Sequence, residues 1–315
     1  MSPAPALCVG ILVADIFVPP LERLPAAGEL IATEDFLLQP GGCAANTAIA
    51  LGRLGVQAAV CGRVGDDLLG DFVESDLRSR GLDTSGVRHT EGYGTSKTVV
   101  VPVVGEDRRF IHTFGANATL TAGDIDPAAL EAAEVLYVGG YLILPSLRED
   151  ELAERLRDAR ARGTTIVLDV AVPAGQKLAA DAARSLLPLA DYFVPNSDEA
   201  FALTGESDSR RQAEIFIEHG ANTVVIKLGD HGAYVRSGAE SFAVLAPPVD
   251  VVEPSGAGDA FAAGLMLGIL EGWELERSVR FASVIGGSAC TALGCWAGVF
   301  TRAEADAFLV AHPEF

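Results

Sequence analysis

Short apolar runs recur along this chain, each too brief for a helix, and stretches with helical spacing separate them. LCVGILV (7–13), QAAVCGRVG (57–65), EVLYVGGY (134–141), TTIVLDV (164–170), DYFVPN (191–196) and NTVVIKLG (222–229) are apolar almost throughout. They do not alternate with polar residues, so they predict strands buried on both faces. AANTAIALGRL (44–54), LLGDFVESDLRSRG (68–81, ending at Gly81) and REDELAERLRDARARG (148–163) carry the 3.6-residue spacing of amphipathic helices. Strand and helix in alternation predict an α/β fold, a mostly parallel central sheet with helices on both faces in three layers. With 315 residues, 49% of them hydrophobic, the chain can bury a large core. It contains no linker, low-complexity segment or repeat of fixed period, and residues 1–315 are read as a single domain.

Two segments break the pattern. One is 15–40, with Pro19, Pro20, Pro25 and the strand-like ELIATEDFLLQ; the other is 95–115, where SKTVVVPVVGEDRRFIHTFG reads as a hairpin turning at or near Gly-Glu-Asp. Together they predict a small separate sheet, placed as a lid beside a ligand cleft.

A net charge of −20 repels nucleic acid and anionic membrane, and neither is expected as a partner. The odd cysteine count (Cys8, Cys43, Cys61, Cys290, Cys295), with no Cys-x-x-Cys and no interleaved His, indicates reduced thiols in a cytoplasmic protein; Cys290 and Cys295 as a metal pair have no second pair to support them. MSPAPALCVG has neither the basic start nor the cleavage pattern of a signal peptide. The uncharged stretch 281–301 is rich in Gly, Ser and Thr, which favours a buried helix and loop over a membrane span.

Chemistry concentrates at the ends of these runs. In VEPSGAGDAF (252–261), glycines open a helix and an acid stands in its first turn. A helix start offers unspent N–H groups and partial positive charge, and glycines let phosphate approach. Gly256, Ala257 and Gly258 therefore form a candidate anion hole, and Asp259 a candidate general base for an attacking hydroxyl. The competing reading is a plain helix cap. Lys and Ser/Thr do not follow, so this is no Walker loop, and no third glycine completes a dinucleotide fingerprint. In QPGGCAANTAIALGRLG (39–55), Gly41 and Gly42 precede Asn46, an amide suited to a polyhydroxyl ligand. Asn196 and Glu199, at a strand end entering a helix, could reach phosphate or Mg²⁺ through water, or simply cap the helix. Lys227, Gly229 and Gly232 make a strand-to-turn stretch that an ordinary hairpin would also explain.

GG-x3-N, N-x-x-E, K-x-G-x-x-G and GAGD in this order resemble the ribokinase/PfkB family of carbohydrate and nucleoside kinases over nearly the whole chain. The resemblance implies a ribokinase-like fold, ATP as co-substrate, Mg²⁺, and phosphoryl transfer to a hydroxymethyl group of a small sugar or sugar-like alcohol. It implies Asp259 as base, Gly256, Ala257 and Gly258 as anion hole, and Asp15, Gly41, Gly42 and Asn46 as acceptor contacts. Asn196, Lys227, Gly229 and Gly232 would bind nucleotide, with Glu199 near Mg²⁺. The small sheet would be the lid, pairing between subunits in a homodimer.

Three departures stand out. Glu253-Pro254-Ser255 replaces the Asp-Thr-x that in relatives helps hold K⁺, so Glu253 and Ser255 are retained as candidates for a monovalent cation. LDVAVPAGQK (168–177) lacks the Asp-x-Asn-x-Arg of 2-keto-3-deoxygluconate kinases, and GGYLILPSL (139–147) lacks the acid of ribokinases. Of Arg108 and Arg109, only one can face the cleft, because successive strand residues point to opposite faces; with Lys97 they would be the groups for a sugar phosphate, and a solvated strand end is the alternative. Phe17, Phe36, Tyr93, Phe110 and Phe114 would stack a nucleoside or pack the lid. A nucleoside kinase, a non-catalytic sugar or nucleotide sensor and a nicotinamide dehydrogenase are the rival functions.

Overall fold

The computed structural model describes residues 4–106, 108–172 and 182–313. In chain order the strands are β1 (Ala6–Gly10), β2 (Val13–Phe17), β3 (Leu37–Gly41), β4 (Ala58–Gly65), β5 (Asp83–Thr90), β6 (Lys97–Val101), β7 (Arg109–Thr113), β8 (Val135–Gly139), β9 (Thr165–Leu168), β10 (Tyr192–Phe193), β11 (Thr223–Lys227), β12 (Ala233–Ser237) and β13 (Glu240–Val244). The helices are α1 (Cys43–Arg53), α2 (Leu68–Ser79), α3 (Pro127–Ala132), α4 (Glu149–Ala161), α5 (Ser197–Thr204), α6 (Ser209–Glu218), α7 (Ala257–Leu270), α8 (Leu275–Ala289) and α9 (Arg302–Ala311).

Nine strands form one sheet in the order β13-β12-β11-β10-β9-β8-β1-β4-β5. From β5 to β11 every neighbouring pair is parallel, and β12 and β13 add an antiparallel edge. Successive residues of β1 enter different cores. Ala6 and Cys8 pack with α1, α2, α7 and α8, while Leu7 and Val9 pack with α4, α5 and α6. That division is the three-layer arrangement, and it explains why these strands show no polar alternation.

The remaining strands form a second sheet, β3-β2-β6-β7, with β2 and β6 parallel and the outer pairs antiparallel. It is assembled from two excursions, one between β1 and α1 and one after β5. The expected single strand 7–13 is therefore divided: β1 stops at Gly10 and β2 joins the small sheet. At the crossing, Leu12 has a side-chain amide for a partner. Its N–H donates to Asn117 Oδ1 at 3.0 Å, and Asn117 Nδ2 donates to its carbonyl at 2.8 Å. Buried backbone groups must be paired, and Asn117 does this where neither sheet can. Of ELIATEDFLLQ only the end enters a strand; Leu30 is 85% exposed, so the earlier residues have nothing to pack against. DYFVPN yields two residues of strand, Tyr192 and Phe193. Residues 281–301 are the end of α8 and a following loop, and no helix among the described residues is long and apolar enough to cross a membrane. Part of LDVAVPAGQK (173–177) lies outside the described residues.

Candidate active site

The carboxyl ends of β8, β9, β10 and β11 open on one edge of the large sheet, where ligands of open parallel sheets collect. The short chain segments leaving those ends bring Asp169, Asn196 and Lys227 to that edge. Helix α7 starts beside them. Gly256, its N-cap, has φ 78°, and a Cβ there would stand 2.1 Å from the carbonyl oxygen of Cys295. Only glycine makes this left-handed, crowded turn. No side chain caps the helix, so the first-turn N–H groups of Gly258 and Asp259 have no intrahelical acceptor.

Two neighbours define what that helix start faces. Asn46, in the first turns of α1, donates from Nδ2 to Asp259 Oδ2 at 2.8 Å, and Thr47 Oγ1 donates to the Asp259 carbonyl at 3.3 Å. Asp259 remains partly accessible. Its burial among protein groups pushes its carboxyl up to about 6; Asn46 works against this, Asp169 adds to it and Lys227 opposes it. Such a carboxyl is ionised at neutral pH and basic enough to take a proton. On the other side, a Cβ on Gly258 would lie 3.2 Å from Lys227 Nζ. An ammonium thus supplements the helix dipole where an anion would sit.

Lys227 is itself held. Nζ donates to Asp169 Oδ2 at 2.8 Å, and the same oxygen accepts from Tyr137 Oη at 3.3 Å. Burial works against the ammonium, but Asp169, Glu199 and Asp259 around it hold Lys227 above the ordinary lysine range. Asn196 and Glu199 form a reciprocal cap on α5: Asn196 Oδ1 accepts from Glu199 N–H and Glu199 Oε2 from Asn196 N–H, each at 2.8 Å. Burial pushes Glu199 up to about 7, against Lys227 and with Asp169 and Asp259 adding to the rise. Capping and proximity to the Lys227 cluster therefore coexist in these two residues. Gly229 lies in the turn after β11 with open space beside it, whereas Gly232 packs on the backbone after β13 and closes the hairpin.

Asp15 lies on β2, 6% exposed. A Cβ on Gly41 would meet its Oδ2 at 1.8 Å, so the carboxylate lies over a bare backbone. Cys295 Sγ is 3.6 Å from the same oxygen. Burial pushes Asp15 up to about 6, with Thr98 and Cys295 lowering it and Asp259 and Glu253 raising it. Gly42 is the N-cap of α1. Gln39, in register with Asp15, is 3% exposed and its Nε2 has no hydrogen-bond partner, nor does Asn46 Oδ1. Buried polar atoms are normally paired, so these two orphans mark Gln39 and Asn46 as unusual in the core.

Glu253 and Ser255 lie just before the anion-hole turn. Glu253, 2% exposed, accepts from Ser255 N–H with both oxygens at 3.1 Å and from Ser255 Oγ at 2.8 Å. Arg108 reaches this pair from the small sheet, with Nε 3.1 Å from Glu253 Oε1 and 3.2 Å from Ser255 Oγ. Arg109 turns the other way and pairs with Glu106. The two arginines part, although only Arg109 lies on β7, and the solvated strand end describes Arg109 but not Arg108. Among the described residues no cluster of three or more His, Cys, Asp or Glu is arranged as a metal site, and all five cysteines are free thiols.

Asp169 and Tyr137 were not singled out from sequence. Asp169 carries the same signal as Asp15, an acid closing an apolar run; Tyr137 is an aromatic inside a strand and carries none.

The family model described as pfkB family carbohydrate kinase matches residues 5–301. The chain is 32% identical over 282 residues to the 2-dehydro-3-deoxygluconokinase of Bacillus subtilis (strain 168), with 86% of each chain covered. It is 32% identical over 300 residues to the ribokinase of the same bacterium, covering 91% of this chain and 94% of that one. Arabidopsis thaliana ribokinase complexed with ribose and ATP has the same fold, with a TM-score of 0.81 at 24% identity over 98% of this chain and 99% of that one.

Proposed function

The chain belongs to the pfkB family of carbohydrate kinases, and from that premise we propose that Asp259 is the general base of an ATP- and Mg²⁺-dependent kinase acting on a hydroxymethyl group of a small sugar or sugar-like alcohol. The observation that carries this reading is Asp259 itself: a partly accessible carboxylate, oriented by Asn46, in the uncapped first turn of α7 with Lys227 alongside.

The acceptor hydroxyl gives its proton to Asp259 as its oxygen bonds to the γ-phosphorus, and the bond from that phosphorus to the ADP oxygen breaks in line. The N–H groups of Gly256, Ala257 and Gly258 and the Lys227 ammonium face the charge that develops on the transferring group. Asp15, Gly41, Gly42 and Asn46 hold the acceptor, with Asp15 accepting from paired hydroxyls. Asn196, Gly229 and Gly232 line the nucleotide side, Gly232 through the shape of its turn. Asn196 and Glu199, an amide and a carboxylate joined in the reciprocal cap, offer hard oxygen donors and are the residues that would hold a divalent cation through water. When bound, Mg²⁺ neutralises phosphate charge. At Glu253 and Ser255 a cationic group is already in place, the Arg108 guanidinium, so turnover is proposed to proceed without K⁺.

The small sheet acts as the lid of a single-domain, cytoplasmic enzyme. Its edge strand β7 is exposed throughout, with Ile111 69% and Phe110 53% exposed. An exposed apolar edge of this kind supports pairing of two lids in a homodimer.

The test is ADP release from ATP and Mg²⁺ against pentoses, hexoses, keto-deoxy sugar acids, polyols, sugar phosphates and nucleosides, with and without K⁺. Asp259→Asn should keep ATP binding and lower kcat by ~10² to 10⁴. Wild-type turnover by that variant would refute the base assignment.

A further inference from the structure

Arg108 immediately precedes β7 of the small sheet, and its partners Glu253 and Ser255 belong to the loop that becomes the anion hole. Sequence separates them widely, but in the fold the guanidinium lies 3.1 Å from the carboxylate and 3.2 Å from the hydroxyl. The loop is held from its other side by the segment after α8: the N–H groups of Val252 and Glu253 donate to the Cys290 carbonyl at 2.8 and 3.1 Å, and Gly256 abuts the Cys295 carbonyl. Arg108 therefore clamps the loop against a fixed wall, one residue before the left-handed turn that aims the α7 amides.

We propose that Arg108 is a positioning residue that sets the anion hole only while the lid is down over the acceptor. A carboxylate as enclosed as Glu253 is costly without a cation beside it. When the lid lifts, the guanidinium leaves with it, the Glu253–Ser255 turn loosens, and the amides of Gly256 to Gly258 lose their aim. Phosphoryl transfer is thereby tied to acceptor enclosure, and ATP is protected from transfer to water. This proposal rests on the kinase reading above.

The test uses the full chain as wild type, Arg108→Ala, Arg108→Lys and Glu253→Gln. Hydrogen exchange is followed at 97–113 and 253–258, and kcat and KM for ATP are measured with the acceptor found in the panel. Arg108→Ala should speed exchange in both segments together and lower kcat by about 10²-fold, the scale of an ångström-sized misplacement, with KM for ATP changed less than about threefold. Arg108→Lys, or guanidinium ion added to Arg108→Ala, should restore part of kcat; the same addition to Glu253→Gln should restore none. Exchange that rises at 97–113 while 253–258 stays as protected as in wild type would overturn the proposal, as would an unchanged kcat. If no acceptor is turned over by wild type, it is the kinase reading that fails, and the exchange experiment still decides whether the lid holds the loop.

Discussion

Replacing Asn46 by alanine removes the side-chain donor 2.8 Å from Asp259 Oδ2. That bond lowers the affinity of Asp259 for a proton, working against the burial that pushes the group up to about 6. A hydrogen bond to a charged group is worth about 1.5–3 kcal/mol, and about 1.4 kcal/mol corresponds to one pH unit. The acid limb of kcat/KM should therefore move up by about one to two pH units in Asn46→Ala. With Asp259 titrating near 6, about nine in ten enzyme molecules carry the ionised base at pH 7. After the substitution this falls to between about half and about one in ten. The assay is kcat/KM for the acceptor from pH 5 to 9 in both proteins. Two losses should separate: a constant one from the lost acceptor contact, and one of about two- to tenfold at pH 7 that closes by about pH 9. A limb that stays in place, or a deficit equal at every pH, would refute the reasoning that Asn46 tunes the base.

Asp15 offers a stability test. Its carboxyl is pushed up to about 6 by burial, so between about pH 4 and 6 the folded chain keeps a proton that the unfolded chain has released. Stability contributed by this group therefore falls as pH rises through that window. Asp15→Asn should be more stable than wild type above pH 6, by at most about 3 kcal/mol, and no more stable near pH 4, as read from urea unfolding. Lys227→Met leaves Asp169, 3% exposed, without its ammonium and should cost about 3–5 kcal/mol in thermal or urea unfolding. Adding Asp169→Leu should recover most of that stability while calorimetry still finds ATP binding weakened, because only the nucleotide needs the charge. If two lids pair as proposed, wild type should sediment as a dimer and Ile111→Lys as a monomer; a wild-type monomer would remove the lid-pairing proposal.

The layered fold could be read because buried parallel strands leave an unmistakable record: the centres of runs such as TTIVL and TVVIK are apolar at every position, with no alternation. Asp259 and Gly256 were legible for a related reason, since a helix start that is glycine-rich and acidic is locally unusual. Other features depend on partners far away in the chain. Nothing in LCVGILV says that Leu12 will take its hydrogen bonds from Asn117, so the break between β1 and β2 was hidden. Arg108 and Arg109 are chemically equal, and strand alternation shows only that they part ways. That Arg108 meets Glu253 is set by how the small sheet lies on the large one. Gln39 reads as an ordinary strand residue until its register with Asp15 and its burial are known.

The making of the small sheet from two separated excursions bears on the order in which the molecule can fold. Its central pairing sets Ala14 beside Lys97, roughly eighty residues apart, and contacts of that range carry a high loop-closure cost and form late. The intervening residues include α1, β4, α2 and β5, which must be in place on the large sheet before β2 and β6 can meet. The bond from Asn46 to Asp259 spans 213 residues, so by the same measure the cluster of Asn196, Lys227 and Asp259 meets α1 later still. During synthesis the strands of the small sheet, all complete by Thr113, emerge before β11 and α7, so the sheet that covers the Asp259 cluster can be built before that cluster exists.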